Sequence, residues 1–202
     1  MQLRMQKRVE LRVPVREKLE VKKVENRKLD LKSKVRRIPE FKGVVFWDIT
    51  PLLKDKSCFR ECIRLLADHY RGKRIDVIVS NEARGFIVGA ALAYELGVGF
   101  VPVRKQGKLP FKCVDLTYEK EYECDTIEIH EDAIEQGDKV LLIDDLLATG
   151  GTIKANIDLV EKLGGEVVGI GFLIELGYLD GRKAIEDKYD VFSIIQCNTT
   201  NG

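Results

Sequence analysis

Val140-Leu141-Leu142-Ile143-Asp144-Asp145-Leu146-Leu147-Ala148-Thr149-Gly150-Gly151-Thr152 decides how the chain is read. Its opening apolar run reads as a strand buried on both faces. Two carboxylates follow at the strand's end, and then a small, hydroxyl-bearing loop. Ile153, Ile157 and Val160 recur at helical spacing, and Gly164-Gly165 ends the helix.

Each part has a chemical use. A loop at a helix N-terminus offers free backbone N–H groups and the positive end of the helix dipole, which suits a phosphate dianion. Gly150 and Gly151 let the backbone close on it, and Thr149 and Thr152 add hydroxyl donors. Asp144 and Asp145 cannot face a phosphate, but they can accept hydrogen bonds from sugar hydroxyls one sugar-length away. Acids followed by a glycine/threonine nest therefore spell a ribose 5-phosphate. Open α/β sheets place ligands at this same strand end. The chain contains neither G-x-x-x-x-G-K-[ST] nor G-x-G-x-x-G.

The 202 residues suffice for one domain with a sizeable core. An apolar fraction of 45% and a charged fraction of 33% describe a globular protein with a charge-rich surface. No apolar run approaches the roughly 18 residues of a membrane span, and the charged N-terminus lacks the apolar core of a signal peptide. The cysteines, Cys58, Cys62, Cys113, Cys124 and Cys197, are odd in number and lack C-x-x-C spacing. They read as reduced thiols, which with the missing leader gives a cytoplasmic expectation. Residues 1–37 hold 14 Lys/Arg and 5 Asp/Glu, a balance of +9; the remainder holds 20 and 28, a balance of −8. A basic arm binds nucleic acid or membrane, or is simply a solvated tail. The tail is the expectation, with no nucleic-acid or membrane partner.

Along the chain, residues 1–28 alternate in part around Pro14 and read as a basic extension, either an edge strand or disordered. The domain runs from 29 to 202. A short helix is expected through Val35 and Ile38 to Pro39, then an aromatic, β-branched stretch from Phe41 to Pro51. Ser57 is expected to cap the next helix. Ile75–Ser80 and Gly99–Val103 read as buried strands on either side of a small-residue helix, and Asn81 to Gly85 is the loop after the first. Glu166–Leu176 and Val191–Ile195 complete the core strands. Strand–loop–helix–strand units in series imply an α/β fold with a doubly wound, mainly parallel sheet. Residues 104–130 break that rhythm as a polar hairpin, the profile of a mobile β-ribbon over the active site.

The thirteen-residue stretch resembles the phosphoribosyl-diphosphate (PRPP) binding motif of the type I phosphoribosyltransferases. Four further segments resemble the adenine branch of that family. They are Gly43–Pro51, Ala83-Arg84-Gly85-Phe86, Arg104-Lys105-Gln106-Gly107-Lys108-Leu109-Pro110, and Glu119-Lys120-Glu121-Tyr122. The resemblance covers roughly residues 29–195. It implies the type I phosphoribosyltransferase fold, transfer of ribose 5-phosphate from PRPP to adenine, and release of AMP and diphosphate. Arg84, Arg104, Lys105 and Lys108, with Asp144, Asp145, Ala148, Thr149, Gly150, Gly151 and Thr152, would bind PRPP. Val45, Phe46, Trp47 and Leu176 would hold the base. Glu121 and Arg84 would be catalytic, with Tyr122 beside Glu121 in the loop. Magnesium would bind mainly through PRPP and water, and a homodimer is implied. Departures are Trp47 where many members have arginine, an entry at Phe41–Gly43 about two residues short, and Glu123 in place of a glycine. Two alternatives stay open: a phosphoribosyltransferase for hypoxanthine, guanine or xanthine, and a regulatory PRPP-binding protein.

Overall fold

A computed structural model describes residues 29–41, 43–119, 124–185 and 187–200. Its centre is β7 (Lys139–Leu147), in which successive side chains serve opposite cores. Val140 and Leu142 pack with Ile153, Ile157 and Val160 of α4 (Gly151–Lys162). Leu141 and Ile143 pack with Cys62, Leu66 and Tyr70 of α2 (Lys56–Tyr70) and with Val88 and Leu92 of α3 (Arg84–Leu96). The period-two pleat thus converts one apolar run into two cores, one on each face of the sheet.

The sheet has seven strands in the order β5-β6-β4-β3-β7-β8-β9. Here β3 is Val77–Asn81, β4 Gly99–Lys105, β5 Cys113–Glu119, β6 Cys124–His130, β8 Glu166–Leu176 and β9 Val191–Cys197. From β4 to β9 every neighbouring pair is parallel. β3 and β7 lie side by side, and the chain builds outward from them in opposite directions. They form the topological switch point, so the loops after both strands open onto one crevice. The doubly wound expectation holds.

The residue 104–130 hairpin forms as β5 and β6, but it is continuous with the sheet: β6 pairs antiparallel with β4 through Arg104↔Glu128 and Lys105↔Ile127. Glu121 and Tyr122, between these strands in sequence, lie outside the described residues, as do residues 1–28.

Three local expectations need correction. The helix expected through Val35 and Ile38 is a single 3-10 turn, Lys32–Lys34, followed by strand β1 (Arg36–Phe41), which pairs antiparallel with β2 (Val44–Asp48). Pro39 explains it: proline disfavours helical backbone at Ile38 but is tolerated in an edge strand. Ser57 does not cap α2; Asp55 does, its carboxylate accepting from Ser57 N and Cys58 N at 3.0 and 3.2 Å. A carboxylate also complements the positive end of the helix. Finally, Asp144 and Asp145 do not follow β7 but lie within it, since the strand continues to Leu147.

Candidate active site

The loop after β7 is set by Gly150, which takes φ 90° and caps α4. A Cβ there would stand 2.5 Å from the Gly181 carbonyl oxygen, so both space and conformation demand glycine. Residues Leu146 to Ile153 surround a recess of about 80 Å³. One water needs about 10–15 Å³ of such volume, so the recess holds a group of several heavy atoms. Ala148, Thr149, Gly150, Gly151 and Thr152 line it. Tyr118 of β5 reaches across to it, its hydroxyl 3.0 Å from Thr152 Oγ1.

This recess adjoins a polar cleft of about 290 Å³. The two share Asp144, Leu146, Ala148 and Thr152 in their walls. Arg84, Arg104, Lys105, Asp144 and Asp145 all line the cleft. Gly85 lets α3 start close against β7, because a Cβ there would meet Asp144 Oδ1 at 2.6 Å. Asp144 accepts from Asn81 Nδ2 at 3.4 Å and from Asp145 N at 2.9 Å. Burial, then the neighbouring Asp145 charge, pushes the Asp144 carboxyl well above the usual carboxylate range. Burial also raises Asp145, and the Arg84 guanidinium opposes it.

Arg84 ties the site together. Its Nε lies 2.8 Å from Asp145 Oδ2, and its Nη1 donates to the Trp47 carbonyl at 3.2 Å. Its guanidinium carbon sits 4.9 Å from the centre of the Phe46 ring. The base segment on β2 and the acid pair on β7 therefore meet through one side chain. Phe46 and Val45 are half-buried. The Trp47 indole is buried, with Nε1 donating to the Tyr178 hydroxyl at 3.4 Å. Leu176 ends β8 at 4% exposure and offers the cleft little surface here.

The remaining cations each have a carboxylate. Glu82 accepts from Arg104 Nε at 2.7 Å and from Lys108 Nζ at 2.6 Å, and Lys105 Nζ lies 3.6 Å from Asp125. The Glu82–Ala83 peptide bond is cis. Buried Glu128 accepts from Lys108 N and Leu109 N, both at 2.9 Å, which anchors the turn. The sequence reading missed Glu82, Asn81, Asp125, Glu128 and Tyr118 as site groups. For Glu82, its place directly before Ala83-Arg84-Gly85 was the available signal.

Residues 48–202 match the phosphoribosyl transferase domain family. An adenine phosphoribosyltransferase of Acidobacterium capsulatum is 56% identical over 167 residues, covering 82% of this chain and 92% of that protein. The chain belongs to the adenine phosphoribosyltransferases. The crystal structure of the Thermoanaerobacter pseudethanolicus member superposes with a TM-score of 0.80 at 53% identity, covering 83% of this chain and 98% of that one. The Saccharomyces cerevisiae enzyme, solved with an imino-altritol bisphosphate and adenine, matches at 40% identity and a TM-score of 0.76, covering 81% and 96%. Among the described residues no helix is long and apolar enough to cross a membrane.

Proposed function

We propose that this chain transfers ribose 5-phosphate from PRPP to adenine, giving AMP and diphosphate, with the joined recess and cleft as its PRPP site. The junction at Asp144, Leu146, Ala148 and Thr152 carries the reading, because it joins a phosphate-sized nest to a cleft lined by two carboxylates. The loop N–H groups and the α4 terminus hold the 5-phosphate. Asp144 and Asp145 accept from the ribose hydroxyls. Arg84, Arg104, Lys105 and Lys108 neutralise the leaving diphosphate, with Arg84 suited to grip two oxygens at once. As the C1′–oxygen bond stretches, C1′ gains oxocarbenium character and adenine N9 attacks. Adenine lies against Phe46, and Glu121 manages the proton on its imidazole side. Catalysis is mostly positioning and charge stabilisation.

The donor set suits magnesium. Asn81 Oδ1 is buried without a hydrogen-bond partner, Asp145 Oδ2 is buried with the Arg84 guanidinium beside it, and both residues line the cleft beside Asp144. These are hard oxygen donors, yet among the described residues no cluster of three or more potential ligands forms a cage. The proposed ion is held mainly through PRPP and water. When bound, magnesium offsets diphosphate charge. A homodimer agrees with Ile87 and Tyr94, which lie two helical turns apart on α3 at 44% and 90% exposure.

The test is AMP formation from PRPP with adenine, set against nucleotide formation from hypoxanthine, guanine and xanthine. Adenine is expected to be used alone. Glu121→Gln should lower turnover by at least about tenfold, at the low edge of acid–base contributions, while leaving PRPP affinity unchanged. Wild-type turnover in that variant would remove Glu121 from the chemistry.

A further inference from the structure

Glu82 is an anion in a cleft lined with cations. It follows β3, and its backbone N–H donates to the Val103 carbonyl at 3.0 Å, which fixes it beside β4. Its side chain is only 10% exposed. Burial alone would raise its carboxyl, but Lys108 and Arg104 outweigh burial and hold it below the usual range, so it is a full charge. Its two oxygens take one cation each. Arg104 Nη1 also donates to the Lys108 carbonyl at 3.1 Å, closing a small network.

The other two cations of the set have carboxylates of their own: Arg84 has Asp145, and Lys105 has Asp125. Glu82 carries two. Its pair of oxygens, each on a separate cation, offers the same contacts as two oxygens of a diphosphate. We propose that Glu82 is a positioning residue that stands in for diphosphate: it holds Arg104 and Lys108 while the cleft is empty and competes with diphosphate for them. This rests on the reading above that those cations serve diphosphate. A plain structural ion pair predicts the opposite sign. If Glu82 only braced the cations, removing it would scatter them and weaken anion binding. As a competitor, its loss leaves two uncompensated charges and strengthens anion binding.

The experiment is calorimetric titration of the full chain with magnesium diphosphate at low ionic strength, where Coulombic effects are least screened. Glu82→Gln keeps the shape and one acceptor but loses the charge. Its dissociation constant for diphosphate should fall by at least about tenfold, equivalent to roughly 1.4 kcal/mol. Glu82→Asp keeps the charge on a stem one methylene shorter, loosening both contacts, so its affinity should fall between wild type and Glu82→Gln. It also carries the test if Glu82→Gln does not fold, because tighter binding than wild type is then required of it alone. Equal or weaker diphosphate binding in either variant overturns the proposal. A wild-type protein that does not bind diphosphate overturns the assignment of the cations themselves.

Discussion

The Asp144 carboxyl sits between Asp145, Asn81 and the closely approaching Gly85, and it holds its proton more tightly here than in an unfolded chain. A carboxyl raised by folding favours the folded state at low pH. That advantage is lost as pH rises through the interval between its ordinary value of 3.8 and its raised value. Ionised Asp144 therefore costs stability, a cost that fits the proposed role of the carboxylate as acceptor for the sugar. Asp144→Asn should raise the melting temperature at neutral pH, and the gain should shrink on acidification. The same variant should bind PRPP about 10–100-fold less tightly, since a charged acceptor contributes about 1.5–3 kcal/mol. Thermal melts across pH and PRPP titration read the two effects. A lower melting temperature at neutral pH would show that the acid pair stabilises the fold.

At the scale of elements, Glu128 on β6 determines where the loop after β4 lies. Burial would raise its carboxyl, but N–H groups of Leu109, Gly107 and Lys108 outweigh it and keep the charge. Glu128→Ala removes these N–H contacts and leaves those donors next to an apolar side chain. The Michaelis constant for PRPP should rise by about tenfold or more, because the turn bearing Arg104 and Lys108 loses its anchor. If steady-state kinetics show an unchanged constant, the turn is held by its own backbone. Local pattern made the β7–loop–α4 unit readable: an uninterrupted apolar run, then glycines and a helical repeat. It stopped short at Asp144 because the carboxylates interrupt that pattern while the strand continues. It misread Val35 and Ile38 because their spacing of three imitates one helical face, whereas the pairing Ile38↔Phe46 is decided across a hairpin. Glu82 and Lys108 are 26 positions apart, and Asn81 and Asp144 are 63 apart. No spacing rule reaches that far, so the counter-charges of the site came only from the fold, while its cations and its nest were already legible as motifs.

Across the whole molecule, charge is divided between a basic start and an acidic body. The family match begins at residue 48, and the relatives align to about four-fifths of the chain. The described chain is tied into the body by Leu31, buried in the core, then by Lys32, which donates to the Gln196 carbonyl, and Lys34, whose Nζ lies 3.0 Å from Asp55. Every residue assigned to the site comes later, from Val45 onward. Deleting residues 1–28 should therefore leave adenine-dependent turnover near that of the full chain, and the melting temperature with it. The basic arm, if it binds nucleic acid at all, would do so through phosphate contacts whose affinity falls steeply with salt. A second measurement separates that role from catalysis: retention of a labelled DNA duplex at low and at moderate salt, with and without the arm. No retention by either form is expected, as for a solvated tail. A loss of turnover greater than about tenfold, roughly 1.4 kcal/mol in the barrier, would instead mean that the arm completes the cleft or the dimer, and the domain would have to begin before residue 29.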